Sequence, residues 1–409
     1  MEEDERQKEL IMTSTMDDLP DYLLLEIFQR LPLNSIFRAK SVNKRWNFLI
    51  TDPFFPHCYA SRQQQCSSFS PPFALFYIGF IPGSNHPCQI GPFFPPFQHQ
   101  QTFTFPLNFF TSQLQKLQRE THSLQLIGCS SDLLLFSGSK GDTLSDTYYV
   151  CNPLTFTWIT LPHPPRHGPR YPVVGFMVED DGTFWIVQIL ASGFLPSGLL
   201  VFQVYCSTTA KWSPNHVICP THFDSFTTKT TQVYQGSILW MVEDGLLWYN
   251  PRTAIIRVSE LPNDRRRIRG RLGVSCGRLS YYEVSRYDPA LRVWTMSGGE
   301  WMVNHVIRHD HFWSSDESVQ GKFLALAEAR RYLRWVAFNP TDCDVVFLKC
   351  DRQLVTCKLS SACLEVVPCR CDHRDGIFYR LEWDVMPLVF KPWPTALFIA
   401  SSNHIIDAS

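Results

Sequence analysis

Hydrophobic and polar positions change period along the chain. From Leu19 to Trp46, in LPDYLLLEIFQRLPLNSIFRAKSVNKRW, apolar residues recur at helical spacing. At 100° per residue from Tyr22, the side chains of Leu23, Ile27, Leu24, Phe28 and Leu25 fill an arc of about 200°, and Glu26, Arg30 and Gln29 take the remainder. That arc is wider than one buried face needs, so the helix is expected to pack on two sides. Pro20 suits a first helical turn, where its missing N–H costs nothing. Pro32 disfavours helical geometry at Leu31 and breaks the helix. A short second helix is expected to hold Ile36, Phe37 and Ala39. Ser41 is positioned to cap a third, carrying Val42, Trp46, Leu49 and Ile50, which TDPFF ends at 51–55. A three-helix unit of about 40 residues rarely stabilises itself. Its surplus apolar surface calls for a partner, either the rest of the chain or another protein.

Beyond about residue 124 the pattern becomes short apolar, β-branched runs bounded by Gly, Ser or charge. SDLLLFSG, GTFWIVQIL, GLLVFQVY, GSILWMVEDGLLWY, WVAFNP and RQLVTCKL read as strands. One unit recurs: an apolar run, a Pro-centred turn, then a short strand. It occurs in YYVCNPLTFTWITLP (148–162), LWYNPRTAIIRVSELP (247–262), SRYDPALRVWTM (285–296) and VAFNPTDCDVVFL (336–348), with a proline-free copy in QVYCSTTAKWSP (203–214). Asn or Asp before Pro makes an Asx-type turn, and Pro presets φ for the position that follows. Asn152-Pro153, Asn250-Pro251, Asp288-Pro289 and Asn339-Pro340 therefore read as hairpin turns, spaced 98, 38 and 51 residues apart. With the proline-free copy inside the long gap, the period is about 40–50 residues, that of a propeller blade. The fold class expected is a small all-α unit followed by a mainly-β propeller of six or seven blades, in preference to a pair of β-sandwiches. QGKFLALAEARRYLRW (320–335) has some helical character and is read, by context, as strand–turn–strand.

Composition narrows the field. The 409 residues are 44% hydrophobic and 14% aromatic, with a formal net charge of −1, so no global pull toward nucleic acid or an anionic membrane exists. Residues 63–115 hold no Asp, Glu, Lys or Arg, but eight prolines interrupt them, and FALFYIGFI is far short of the ~20 apolar residues a spanning helix needs. A strand pair with a Pro/Gln-rich loop is expected there, with no membrane contact. The 14 cysteines are scattered, the N-terminus MEEDERQKEL is highly charged, and no Asn-x-Ser/Thr sequon occurs. These features fit a cytoplasmic or nuclear protein with reduced thiols.

Catalytic and metal chemistry finds little support. There is no G-x-S-x-G elbow and no phosphate-binding loop. His305 and His309 in HVIRH have the spacing of a zinc helix, but Val306 stands where a catalytic Glu would, and on a strand i and i+4 lie about 13 Å apart. Cys350, Cys357, Cys363, Cys369, Cys371 and His373 lack paired C-x-x-C knuckles and read as buried thiols. No metal site, cofactor or catalytic residue is assigned. NDRRRIRGR (263–271) gathers Arg265, Arg266, Arg267, Arg269 and Arg271. It reads first as a solvated loop and second as a nuclear import signal or acidic-partner site; without interleaved aromatics it is a poor nucleic-acid surface.

LPDYLLLEIFQRLP, LNSIFRAKSV and KRW followed by LITDPFF closely resemble the F-box motif, almost continuously over residues 18–55. One departure is Asn43, where the family usually has Cys. The strand-rich region resembles the kelch-like, F-box-associated propellers of plant F-box proteins in YYVCNPLT, GSILWM, RLGVSCGRLSYYE and NPTDCDVVFLKCDRQLVTCKL. It departs from kelch repeats in having Gly298-Gly299 as its only double glycine.

The resemblance implies a non-catalytic substrate-recognition subunit of an SCF-type ubiquitin ligase. Its F-box would dock on the Skp-type adaptor, and through it on a cullin, while the propeller binds an unknown target protein. Leu19, Pro20, Leu24, Ile27, Leu31, Pro32, Val42 and Trp46 would form or support the docking surface, although Ile27 and Trp46 equally suit holding the three helices together. The alternatives are a non-ligase F-box scaffold and a metabolite-binding propeller. The expected organisation is a disordered N-terminus (1–15), an F-box (16–56), and a connection with the first propeller strands (57–123). The remaining blades (124–400) and a C-terminal tail (401–409) follow.

Overall fold

The computed structural model describes residues 16–65, 73–80, 87–93, 123–139, 147–155, 157–165, 173–190, 199–220, 226, 231–243, 245–262, 269–284, 290–328, 334–350, 353–367, 385–397 and 405–406. The chain forms two compact units. One is helical, runs to Pro71 and includes Lys391–Trp393; the other holds the strands.

In the helical unit, a 3-10 turn (Met16–Asp18) precedes α1 (Asp21–Phe28), α2 (Leu33–Lys40), α3 (Lys44–Thr51) and α4 (Phe55–Gln65). Pro20 and Pro32 occupy the N-cap positions of α1 and α2, at φ −58° and −59°, without side-chain caps. The cap of α3 is Asn43 rather than Ser41: its Oδ1 accepts from Trp46 N at 2.8 Å. Ser41 instead ends α2, donating from Oγ to the Arg38 carbonyl at 2.7 Å. A hydroxyl bonded backwards to the preceding turn does not serve the next one, which explains the difference. The fourth helix, α4, extends the unit beyond the three expected.

Leu24, Phe28, Leu33, Ile36, Leu49, Ile50, Phe55 and Tyr59 form the helical core. Trp393 joins it from the far end of the chain, with its ring 5.8 Å from Phe37, 5.5 Å from Phe55 and 5.8 Å from Tyr59. Lys40 Nζ lies 5.3 Å above the Phe37 ring and 5.6 Å above that of Trp393, and burial lowers its pKa.

The strand unit opens with the hairpin β1 (Phe73–Phe80) and β2 (Pro87–Phe93). Blade 1 is β3 (Ser123–Ser130), β4 (Leu133–Ser139), β5 (Thr147–Asn152) and β6 (Thr157–Thr160). Blade 2 is β7 (Val173–Val178), β8 (Phe184–Ile189), β9 (Leu199–Cys206) and β10 (Lys211–Ile218). Blade 3 is β11 (Gln232–Tyr234), β12 (Ser237–Val242), β13 (Gly245–Asn250) and β14 (Ile255–Ser259). Blade 4 is β15 (Arg269–Ser275), β16 (Arg278–Val284), β17 (Ala290–Ser297) and β18 (Glu300–Arg308). After α5 (Glu317–Glu328), blade 5 is β19 (Arg334–Phe338), β20 (Val345–Cys350), β21 (Gln353–Lys358) and β22 (Cys363–Val366). Two late strands, β23 (Val385–Val389) and β24 (Ile405–Ile406), complete the set.

Each blade is an antiparallel meander. First strands touch in sequence: β3 meets β7, β7 meets β11, β11 meets β15, β15 meets β19, β19 meets β23, and β23 returns to β3. The ring closes through a three-stranded sheet ordered β2–β1–β23, in which Phe73 pairs with Val389, while β24 adds a fifth strand outside β6. The unit is therefore a β-propeller of five complete blades and a closing sheet stitched from both ends of the propeller segment.

Its core is a series of wedges between blades. Leu133, Tyr148, Phe176 and Tyr205 fill the first; Val187, Phe202, Trp240 and Tyr249 the second; Leu239, Trp248, Leu279 and Tyr281 the third. Middle strands such as β5 and β12 are buried along their whole length, because both faces meet neighbouring blades. They read as continuous apolar runs for that reason, whereas the outer strand β10 is half-buried or exposed throughout. Inner strands approach closely: a Cβ on Gly175 would lie 2.5 Å from Ile238 Cγ2, and one on Gly273 would strike the Phe338 ring.

The expected turns occupy unequal places. Asn152 Oδ1 accepts from Leu154 N at 2.9 Å, and Asn250 Oδ1 from Arg252 N at 3.0 Å, both between third and fourth strands. The proline-free copy, Cys206–Lys211, lies at the same place in blade 2, so the long gap does contain two blade repeats. Asn339 Oδ1 accepts from Thr341 N at 2.9 Å between the first and second strands of blade 5, out of phase with the others. Asp288-Pro289 lies outside the described residues. Gly298-Gly299, with φ of 61° and 90°, makes the hairpin between β17 and β18.

The segment read as strand–turn–strand is a correction: α5 covers its first half, and β19 begins only at Arg334. Asp316 Oδ1 accepts from Ser318 N at 2.9 Å and Val319 N at 3.3 Å, which starts the helix. Val319 and Phe323, one turn apart, are buried with Phe312 against blade 5.

Candidate docking surface

The starts of α1 and α3 are held side by side. Arg45, in the first turn of α3, donates to the Leu19 carbonyl at 2.6 Å and to Asp21 Oδ1 at 2.7 Å. Tyr59 OH donates to the Leu31 carbonyl at 3.2 Å and ties α4 to the α1–α2 connection; burial pushes its pKa up to about 12. Trp46 packs edge-on against Phe28 at 5.3 Å.

On this frame the expected docking residues divide. Pro20, Pro32 and Val42 are exposed, Val42 by 59%. Leu19, Ile27, Leu31 and Trp46 are half-buried, and Leu24 is 0% exposed, a core residue that supports the surface from beneath. Four exposed apolar side chains were missing from the expectation: Tyr22 at 69%, Leu23 at 37%, Phe48 at 75% and Phe54 at 76%. The signal for Phe48 was in the helical period. Trp46, Leu49 and Ile50 define the inward face of α3, and Phe48 falls about 200° from Trp46. A protein surface rarely keeps this many large apolar side chains uncovered over so short a segment.

Profile comparison assigns residues 16–57 to the F-box domain and residues 97–386 to the F-box protein At3g26010-like β-propeller. The chain belongs to the F-box protein At3g26010-like family. The F-box thus coincides with the helices that carry the exposed apolar residues. F-box protein At3g26010 of Arabidopsis thaliana is 31% identical over 228 residues, covering 51% of this chain and 47% of its own. The putative F-box/kelch-repeat protein At1g15680 of the same plant is 25% identical, covering 55% and 52%. The chain thus spans about half the length of these relatives. F-box protein At5g03970, also from Arabidopsis thaliana, is 23% identical over 94% of this chain and 90% of its own.

Other candidate chemistry is dispersed. His305 is half-buried in β18, and His309 is buried in a 3-10 turn just after it. Cys350, Cys357 and Cys363 lie on three successive strands of blade 5, and burial raises the Cys357 thiol to about 12. Cys369, Cys371 and His373 lie outside the described residues. Among the described residues no three His, Cys, Asp or Glu side chains gather to hold a metal, and no helix is long and apolar enough to cross a membrane. Of the arginine run, the side chains of Arg265, Arg266, Arg267 and Arg269 lie outside the described residues; Arg271 is half-buried in β15.

Proposed function

We propose that this F-box protein is a substrate-recognition subunit of an SCF-type ubiquitin ligase. The F-box docks on the Skp-type adaptor and through it on a cullin, and the propeller holds a target protein. The observation that carries this reading is the set of uncovered apolar side chains on a matched F-box, Pro20, Tyr22 and Val42 among them, on helices whose starts Arg45 joins. Apolar burial there supplies adhesion, and the subunit acts by proximity, since holding two reactants together supplies much of a rate enhancement without a catalytic group of its own.

Combining Pro20→Glu with Val42→Glu is expected to abolish co-purification with the Skp-type adaptor while the far-UV circular dichroism stays unchanged, because neither residue is in the core. Retained binding would overturn the docking assignment. Reconstitution with the cullin complex then separates ligase from scaffold: a target whose ubiquitination requires the propeller supports the first, and adaptor binding without any transfer supports the second.

A further inference from the structure

Of the ten described cysteines, only Cys58, Cys276 and Cys343 are exposed. Cys276 and Cys343 face each other. Cys276 occupies the turn between β15 and β16, held at φ 47° with Gly277 at φ 70°. Cys343 occupies the turn between β19 and β20 in the next blade. The two turns are bonded together: Cys276 N donates to the Pro340 carbonyl at 2.9 Å, and Ser275 Oγ donates to the Asn339 carbonyl at 2.5 Å. Cys343 is the neighbour that acts on the Cys276 thiol, through both its side chain and its backbone. A disulfide requires Cα atoms within about 7 Å and converging Cβ vectors. Turns joined backbone to backbone, with Cys276 and Cys343 as interacting neighbours, bring the pair toward that geometry.

We propose that Cys276 and Cys343 are a modification site, a reversible disulfide between blades 4 and 5 made by exchange with a small disulfide such as oxidised glutathione. The thiolate of one cysteine attacks a glutathione sulfur. A protein–glutathione S–S bond forms, the glutathione S–S bond breaks, and one glutathione leaves as thiolate. The second cysteine, deprotonated, attacks the protein sulfur of that mixed disulfide and expels the second glutathione. Two protein thiols are oxidised to one disulfide, one glutathione disulfide is reduced to two thiols, and the two protons lost by the protein pass to the departing glutathiones.

Burial first, then the neighbouring Cys343, push the Cys276 thiol above its ordinary range.

The test uses the full chain in glutathione buffers of rising oxidised fraction, followed by acid quench, alkylation and mass spectrometry of the non-reduced digest. A peptide cross-linked between Cys276 and Cys343, growing with the oxidised fraction and removed by dithiothreitol, is the expected result. Cys276→Ser should leave glutathione trapped on Cys343, and Cys343→Ser should leave it trapped on Cys276. Exposed Cys58, on α4, serves as the internal comparison and is expected to remain a simple mixed disulfide. If both cysteines alkylate freely, or each carries its own glutathione without cross-linking at the most oxidising ratio, the proposal is overturned.

Discussion

Asn43 decides where α3 begins. Its carbonyl oxygen satisfies an amide that the first turn of a helix otherwise leaves unpaired. Removing it by Asn43→Ala is expected to cost about 1 kcal/mol of helical-unit stability, measured by chemical denaturation. In the sequence Ser41 and Asn43 carry equal capping potential, and no rule of spacing separates them. The decision is made by Ser41 turning back to the Arg38 carbonyl, a contact that exists only once α2 has formed. A similar limit applies to Asp132. The pattern SSDLLLF announces a strand, but nothing in it announces that the carboxylate will be fully buried, accepting from Asn152 Nδ2 at 2.9 Å and from Thr395 N and Oγ1 at 2.6 Å each. Its partner Thr395 stands 263 residues away, beyond the reach of any local pattern.

At the scale of elements, hydrophobic period performed well where an element meets its neighbours in a regular way. The strands of blades 1 to 3 follow the apolar runs, since their burial comes from both flanking blades. Period failed at α5, where the all-β surroundings outweighed two local signals, the Asp316 cap and the Val319–Phe323 spacing. That helix is a packed part of blade 5, so Phe323→Ala is expected to cost about 3 kcal/mol, read as a lowered unfolding midpoint of the propeller. A second repeat signal lies in the turns between third and fourth strands. Ala210, Ala254 and Ala362, at φ 52°, 58° and 55°, all occupy the hairpin between the third and fourth strands of their blades. Each follows a Thr or Ser (Thr209, Thr253, Ser361), so a short Thr/Ser-Ala pair marks the blade phase more faithfully than the Asn-Pro turns. It is inconspicuous because alanine in the left-handed region is uncommon, and sequence reading looks for glycine there.

For the whole molecule, buried phenols set an alkaline limit. From an ordinary value of 10.0, burial raises Tyr59 and Tyr205 to about 12, with Cys206 adding to the shift at Tyr205, and raises Tyr281 and Tyr282 as well. Above pH 10 the unfolded chain releases these protons while the folded chain retains them, so the unfolded state binds fewer protons and stability falls as pH rises. The contribution is intact below pH 10 and is lost across pH 10–12, as pH rises to the folded values of Tyr59 and Tyr205. Thermal melts in that window should show a steadily falling Tm, and Tyr59→Phe should flatten the decline for the helical unit alone. No sequence pattern foretells this limit, since a tyrosine's burial depends on which distant element packs over it.

The closing sheet also sets a timetable for synthesis. The β1–β2 hairpin leaves the ribosome early, yet its inner partner β23 is the last strand of that sheet to be made, and Phe73 finds Val389 only after more than three hundred further residues. At about 5–20 residues per second, one edge of the nascent propeller stays unpaired for tens of seconds. Throughout that interval β1 offers open backbone donors and acceptors to any passing strand, a template for aggregation. The completed ring ends that exposure, so chains that stop short of β23 carry the hazard permanently and become natural clients for chaperones and proteases.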